Sequence, residues 1–193
     1  MIKSMKNKKM WIIIAVVAVV VIWFVSLYNG LVDREQKVDE AWANVETTYQ
    51  RRADLIPNLV STVRGYATHE QETFLRTVQA RAQSATLDPA TATEEQMQEW
   101  LAAQDEVRSA ISVVVEAYPE LRSSENFLSF QDELAGTENR ISTERRRYNE
   151  AVREYNVKLR RFPTNLVASM FGFEPRVMFA ASEGAEVAPE VVF

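Results

Sequence analysis

Cysteine is absent from this 193-residue chain, histidine occurs once, and only 5 glycines and 6 prolines interrupt it. Without cysteine there is no disulfide, no thiolate nucleophile, no sulfur-ligated metal and no acylated cysteine of the lipoprotein kind. The lone histidine, His69, has Glu70 beside it on a different helix face, and no His-Glu-x-x-His pattern occurs, so no metal-ligand set is present. Gly-rich phosphate loops and Gly-x-Ser-x-Gly elbows are missing as well. The adjacent acids Glu94-Glu95, Asp105-Glu106 and Asp132-Glu133 diverge by about 100° on a helix, and none lies in an apolar stretch that would raise a carboxyl pKa. These gaps exclude most catalytic chemistry: no enzyme, cofactor or metal is expected.

Charge is missing altogether from one stretch. Trp11 to Tyr28 is apolar throughout and follows an N-terminus carrying Lys3, Lys6, Lys8 and Lys9. At about 1.5 Å per residue the run covers about 27 Å, enough to cross a bilayer core, with Trp11, Trp23 and Tyr28 placed for the headgroup level. The run is longer than a signal-peptide core, and Ser26–Gly30 offers no small-x-small cleavage site; residues 10–28 read as an uncleaved single-pass signal anchor. Four lysines before the span and mixed charge after it place residues 1–9 in the cytoplasm and the remainder outside a bacterial cell (inner) membrane. The totals are 22 Lys+Arg against 27 Asp+Glu, and the part beyond the span is more acidic than the net −5 suggests, a poor match for nucleic acid.

Low Gly and Pro with abundant Ala, Glu, Gln, Arg and Leu predicts an all-α fold. Leu31, Val38, Trp42, Val45, Tyr49, Leu55, Ile56, Leu59 and Val63 keep helical spacing, so the span is expected to run on into the first soluble helix. Pro57 predicts a kink or break near 54–57, and Gly65–Thr68 a second weak point before a capping box at Thr68–Gln71. Residues 86–93 read as a loop, and Thr93-Glu-Glu-Gln96 as a capping box opening a helix with Met97, Trp100, Leu101, Val107, Ile111, Val114 and Val115 on its apolar side, ended by Pro119. Phe127, Leu134, Ile141, Tyr148, Tyr155 and Phe162 then recur every seven residues. Val152 and Leu159 complete a coiled-coil-like seam in the second half, while the matching line in the first half is polar (Gln131, Glu138, Arg145). That helix is predicted from about 124 to 162, with Arg140, Arg147 and Arg161 flanking the seam to pair with acids on a neighbour. The architecture expected is an elongated antiparallel bundle of three to four long helices, 29–163, on the membrane helix, with a 164–193 tail packing on it.

Several blocks together resemble the LemA family: Arg51–Val60 with Val63–Glu70, Ala80-Arg81, Glu125–Phe127, Glu138–Ile141, Arg146–Asn149, Tyr155-Asn156, Phe162–Asn165 and Phe171–Phe173. The likeness covers nearly all of the chain, with one departure, Ala180 after Phe179, where an acid is expected. The resemblance implies a membrane-anchored helical bundle. It also implies an envelope quality-control setting, since the family is associated with membrane zinc metalloproteases of the HtpX type and small membrane proteins of the TPM-domain type.

Two groups of residues are candidates for interaction. Arg51, Arg52, Asp54, Pro57 and Asn58 read as a structural corner, Asp54 capping a helix that Pro57 enters, with a recognition surface as the alternative. Asn149 and Asn156 each follow a seam tyrosine, Tyr148 and Tyr155, and either fix register or lie in solvent. The apolar Leu166, Val167, Met170, Phe171 and Phe173 read as covering a bundle end, with membrane or partner contact as the alternative. The expected function is a non-enzymatic scaffold or interaction protein that forms homo-oligomers through its long helices, or else a regulatory adaptor of a membrane metalloprotease.

Overall fold

The computed structural model describes residues 2–63, 73, 76–77, 79–80, 83, 86–117 and 125–180. Among them the fold is all-helical: α1 (Ile2–Val63), α2 (Glu94–Ala117), α3 (Glu125–Arg160) and a short α4 (Thr164–Phe171). The second weak point, the Thr68 capping box, His69 and Pro119 lie outside the described residues.

Helix α1 is continuous for 62 residues, about 93 Å. Asn29 and Gly30 do not interrupt it, so the apolar segment and the bundle's first helix are one element. Nor does Pro57 end it: of the kink or break expected there, the break does not occur. A proline inside a helix costs about 3 kcal/mol. Its neighbours Leu55, Ile56, Leu59 and Val60 are all buried against Val107, Ala110, Ile111, Phe127 and Phe130. At about 1.5–3 kcal/mol per buried side chain, those four outweigh the lost hydrogen bond. Packing overrides the local signal.

Residues 86–93 do form a loop, in which the Asp88 carboxylate accepts from the Ala90 amide (2.9 Å). The capping box that follows is complete: the Thr93 amide donates to Gln96 Oε1 (2.9 Å) and the Gln96 amide to Thr93 Oγ1 (3.3 Å). Hydrogen bonds from its own amide and from Thr93 hold the Glu95 carboxyl below its ordinary pKa. Met97, Trp100, Val107 and Ile111 face inward as their spacing predicts.

Helix α3 runs antiparallel to α1. Its start packs beside Leu55–Val60, its middle beside Val38–Tyr49, and Leu159 reaches Leu31. The core is thus three layers stacked along α1. Phe127, Ile141, Tyr148 and Tyr155 are buried and Leu134 is partly so, but Phe162 is 79% exposed, because α3 ends at Arg160 and the chain turns before it. The second buried row follows the expected seam at Val152 and Leu159 but departs from it in the first half. It lies three residues after the first row at Phe130 and Thr137, then four residues after it at Val152. A straight helix drifts about 20° per heptad, so keeping one face towards α1 requires this switch; a supercoiled seam would not. Arg147 bonds Glu144 on its own helix, and the bridges to α1 run the opposite way, from Arg34 to Glu154 (2.8 Å) and from Arg51 to Glu133 (3.0 Å).

Helix α4 folds back beside Leu31 through Val167 and Ala168. Gly172 ends it at φ 74°, a left-handed conformation that glycine adopts without strain, and the Phe173 amide returns to the Ala168 carbonyl (3.0 Å). Residues beyond Gly172 turn along α3.

The layer assignment has a measurable consequence. Ile141→Ala should lower stability by about 2–4 kcal/mol, whereas Phe162→Ala should leave the bundle within about 0.5 kcal/mol of the parent, read by thermal unfolding of the full chain in one detergent.

Candidate functional site

The two candidate groups fall in different places. Arg51 and Arg52, adjacent in sequence, diverge by about 100° on α1. Arg51 is exposed and reaches Glu133, while Arg52 is 1% exposed. The Arg52 guanidinium donates to Glu138 Oε1 (3.2 Å) and to the backbone carbonyl of Gln104, and lies 4.9 Å from the centre of the Tyr49 ring. One side chain therefore ties α1 to α2 and α3. Its burial is tolerable because the charge has an acid, a carbonyl dipole and a ring face around it.

Asp54 caps nothing. It sits mid-helix and accepts from Gln50 Nε2 (2.8 Å) one turn earlier on the outer face. Pro57 and Asn58 are exposed on the same helix. The expected corner is instead an outward ridge of Arg51, Asp54, Pro57 and Asn58 on an unbroken helix, with Arg52 turned inside.

The second group forms a defined site. Asn149 Nδ2 donates to the Phe179 carbonyl (3.0 Å) while its Oδ1 accepts from the Phe179 amide (2.8 Å). One heptad later Asn156 repeats the pattern on Arg176, at 2.8 and 3.0 Å. The Tyr148 hydroxyl donates to the Val177 carbonyl between them (3.0 Å). A primary amide presents one donor and one acceptor side by side, as a neighbouring β-strand residue would. Seven helical residues rise about 10.5 Å, and three residues of fully extended chain span about 10 Å, so the segment 176–179 must be nearly extended to meet both asparagines. The asparagines are neither solvent-exposed polar residues nor a register device between helices. They form a ladder that holds an extended segment of the tail.

The extended segment also delivers side chains. Phe179 is buried, stacked 5.9 Å from Trp42 and within 5.1 Å of Tyr148, with the Arg145 guanidinium 4.9 Å from its ring centre. Arg176 enters α1's acidic side, donating to Glu35 (2.9 Å) with Asp39 at 3.8 Å. Where an acid would follow Phe179, Ala180 gives Arg145 its backbone carbonyl at 3.4 Å. Burial pushes the phenols of Tyr148 and Tyr155 up to about 12, so both are neutral at physiological pH. Arg52 borders this site through Tyr49, which packs on Trp100 at 4.7 Å.

Arg176 and Phe179 carry no periodic signal, and the sequence offered only an irregular tail for them. Tyr148 and Tyr155 are fully buried within one chain, so the seam is internal. Among the described residues no three His, Asp or Glu side chains converge to hold a metal.

These features define a class: a membrane-associated helical bundle that pins an extended segment of its own tail with side-chain amides. The chain belongs to the LemA family, whose signature matches residues 41–193. It is similar to Protein LemA of Metamycoplasma hominis, 26% identical over 160 residues covering 83% of this chain and 72% of that protein. It is also similar to Magnetosome protein MamQ 2 of Paramagnetospirillum magneticum, 27% identical with coverages of 76% and 62%, and to Magnetosome protein MamQ of Magnetospirillum gryphiswaldense, 25% identical with the same coverages. The chain thus spans less than two thirds of the length of these magnetosome proteins.

Two outcomes test this geometry. Arg52→Glu should cost about 3–5 kcal/mol in urea unfolding, while Arg51→Glu changes stability by no more than about 1 kcal/mol. Asn149→Ala and Asn156→Ala should each cost about 1–3 kcal/mol and raise hydrogen exchange at the Phe179 and Arg176 amides while the middle of α3 stays protected.

Proposed function

We propose that this protein is a non-enzymatic scaffold of the bacterial envelope that self-associates through the outward faces of its long helices. The observation that carries this reading is where the polar chemistry goes. Arg52, Tyr148, Asn149, Asn156 and Arg176 are engaged in holding the chain's own elements together. What α1 and α3 turn outward is a long surface of mixed charge, suited to lateral contact rather than to enclosing a substrate. Anchorage by residues 10–28 in the inner membrane, with residues 1–9 cytoplasmic, rests on the lysine-rich N-terminal flank. Magnetosome proteins among the relatives support a membrane-bound structural role.

The second reading is an adaptor for a membrane metalloprotease or a TPM-domain protein. The outward ridge of Arg51, Asp54, Pro57 and Asn58 favours it, because this stretch of α1 presents a continuous exposed edge while its inner residues are fixed in the core.

Native mass determination on full-length protein extracted gently from its own membrane separates them. Self-association gives a homogeneous mass several times that of one chain. A heteromer containing a protease, lost in Arg51→Glu, favours the adaptor, and a lone monomer overturns both.

A further inference from the structure

Helix α4 is eight residues long and contains no charged side chain. Its inner face, Thr164, Val167 and Ala168, is buried. Its outer face exposes Leu166 (55%) and Met170 (69%) beside Asn165 and Ser169, Phe171 (53%) at its end lies on the side turned to α1, and Phe162 just before it is 79% exposed. A water-facing helix of a charged protein normally carries charge on its outer side; this one carries none, and together with Phe162 it leaves four large apolar groups exposed.

The position of this face says what covers it. The Phe171 ring lies 6.1 Å from Phe24 and 4.8 Å from Tyr28, and Phe173 lies 5.7 Å from Tyr28. Phe24 and Tyr28 belong to the apolar run itself. If that run spans the bilayer, Tyr28 marks the edge of the hydrocarbon and Phe24 lies about 6 Å deeper. These contacts set the level of α4: its exposed apolar groups stand beside the apolar surface of α1, at the depth where amphipathic helices bury their apolar side, about 5–10 Å into the headgroup and acyl boundary. Basic residues flank it on the right side: Lys158 and Arg160 close α3, and Arg160 and Arg161 are exposed beside Phe162. Cations there meet lipid phosphates as apolar groups enter the acyl region.

We infer that Phe162, Leu166, Met170 and Phe171 form a second membrane contact, an interfacial foot beside the spanning helix whose occupant is the lipid bilayer. Two attachments fix the rotation of the bundle about α1 and the tilt of α1 in the membrane, which one helix alone leaves open. Lateral scaffolding needs that constraint, because neighbouring bundles must present the same faces to one another. The inference rests on Trp11–Tyr28 being the span.

The absence of cysteine makes the test direct. Full-length Met170→Cys, Leu166→Cys, Val17→Cys and Ser129→Cys proteins are labelled singly with an environment-sensitive fluorophore and reconstituted in phosphatidylethanolamine–phosphatidylglycerol vesicles. The vesicles carry doxyl quenchers either near the glycerol backbone or at the bilayer centre. The probes at 170 and 166 should lose about half their emission to the shallow quencher, as expected at interfacial depth. The probe at 17 should respond to the deep quencher, and the probe at 129, on the far end of α3, to neither. Probes at 170 and 166 as unquenched as 129, with 17 quenched, would overturn the foot and leave the span intact. Blue-shifted but unquenched probes at 170 and 166 would show a protein covering the face and also overturn the lipid assignment. No deep quenching at 17 would sink the span and the foot together.

Discussion

Helix α1 passes from an entirely apolar exterior into the bundle without a break, and the other described helices pack along its second part. In hydrocarbon a helix must satisfy its backbone internally, so the first part tolerates no interruption. In the bundle the same helix needs only a stripe of apolar residues, and Leu31, Val38, Trp42, Val45, Tyr49, Leu55, Ile56 and Leu59 provide it. Because Asn29–Gly30 continues the helix, the apolar run and the bundle's first helix form one rod.

On that rod the tail is held by a match between two periods. A helix repeats its face after seven residues and an extended chain covers the same distance in three, so two asparagines a heptad apart can grip two residues three apart on one extended segment. Each amide replaces the strand neighbour the backbone would otherwise lack, and Phe179 is placed among Trp42, Trp100 and Tyr148. The C-terminal segment is thus part of the core of the middle layer, and not a cover laid over a finished bundle. Tyr148 serves both purposes, packing into α1 and donating to the extended segment.

Membership of the LemA family and the buried use of its polar side chains point the same way. Of the residues that looked able to recognise a partner, Arg52, Tyr148, Asn149 and Asn156 bind this chain itself. What remains outward is the Arg51–Asn58 ridge, the charged faces of α1 and α3, and the apolar residues of α4.

Sequence alone determined what depends on local or periodic chemistry. The apolar run, the loop at 86–93, the Thr93–Gln96 capping box and the buried row Phe127, Ile141, Tyr148 and Tyr155 follow from spacing and side-chain type. Only the tertiary structure decided the rest. Pro57 stays inside a helix because four neighbours are buried, a gain no local rule contains. Arg51 and Arg52 are indistinguishable in the string, yet 100° of helix rotation sends one to water and the other into a three-helix junction. Phe162 continues the seven-residue count but not the helix. Arg176 and Phe179 had no pattern to announce them, because their partners are more than a hundred residues away on α1 and twenty to thirty residues back on α3. Such pairings exist only once the chain has closed on itself.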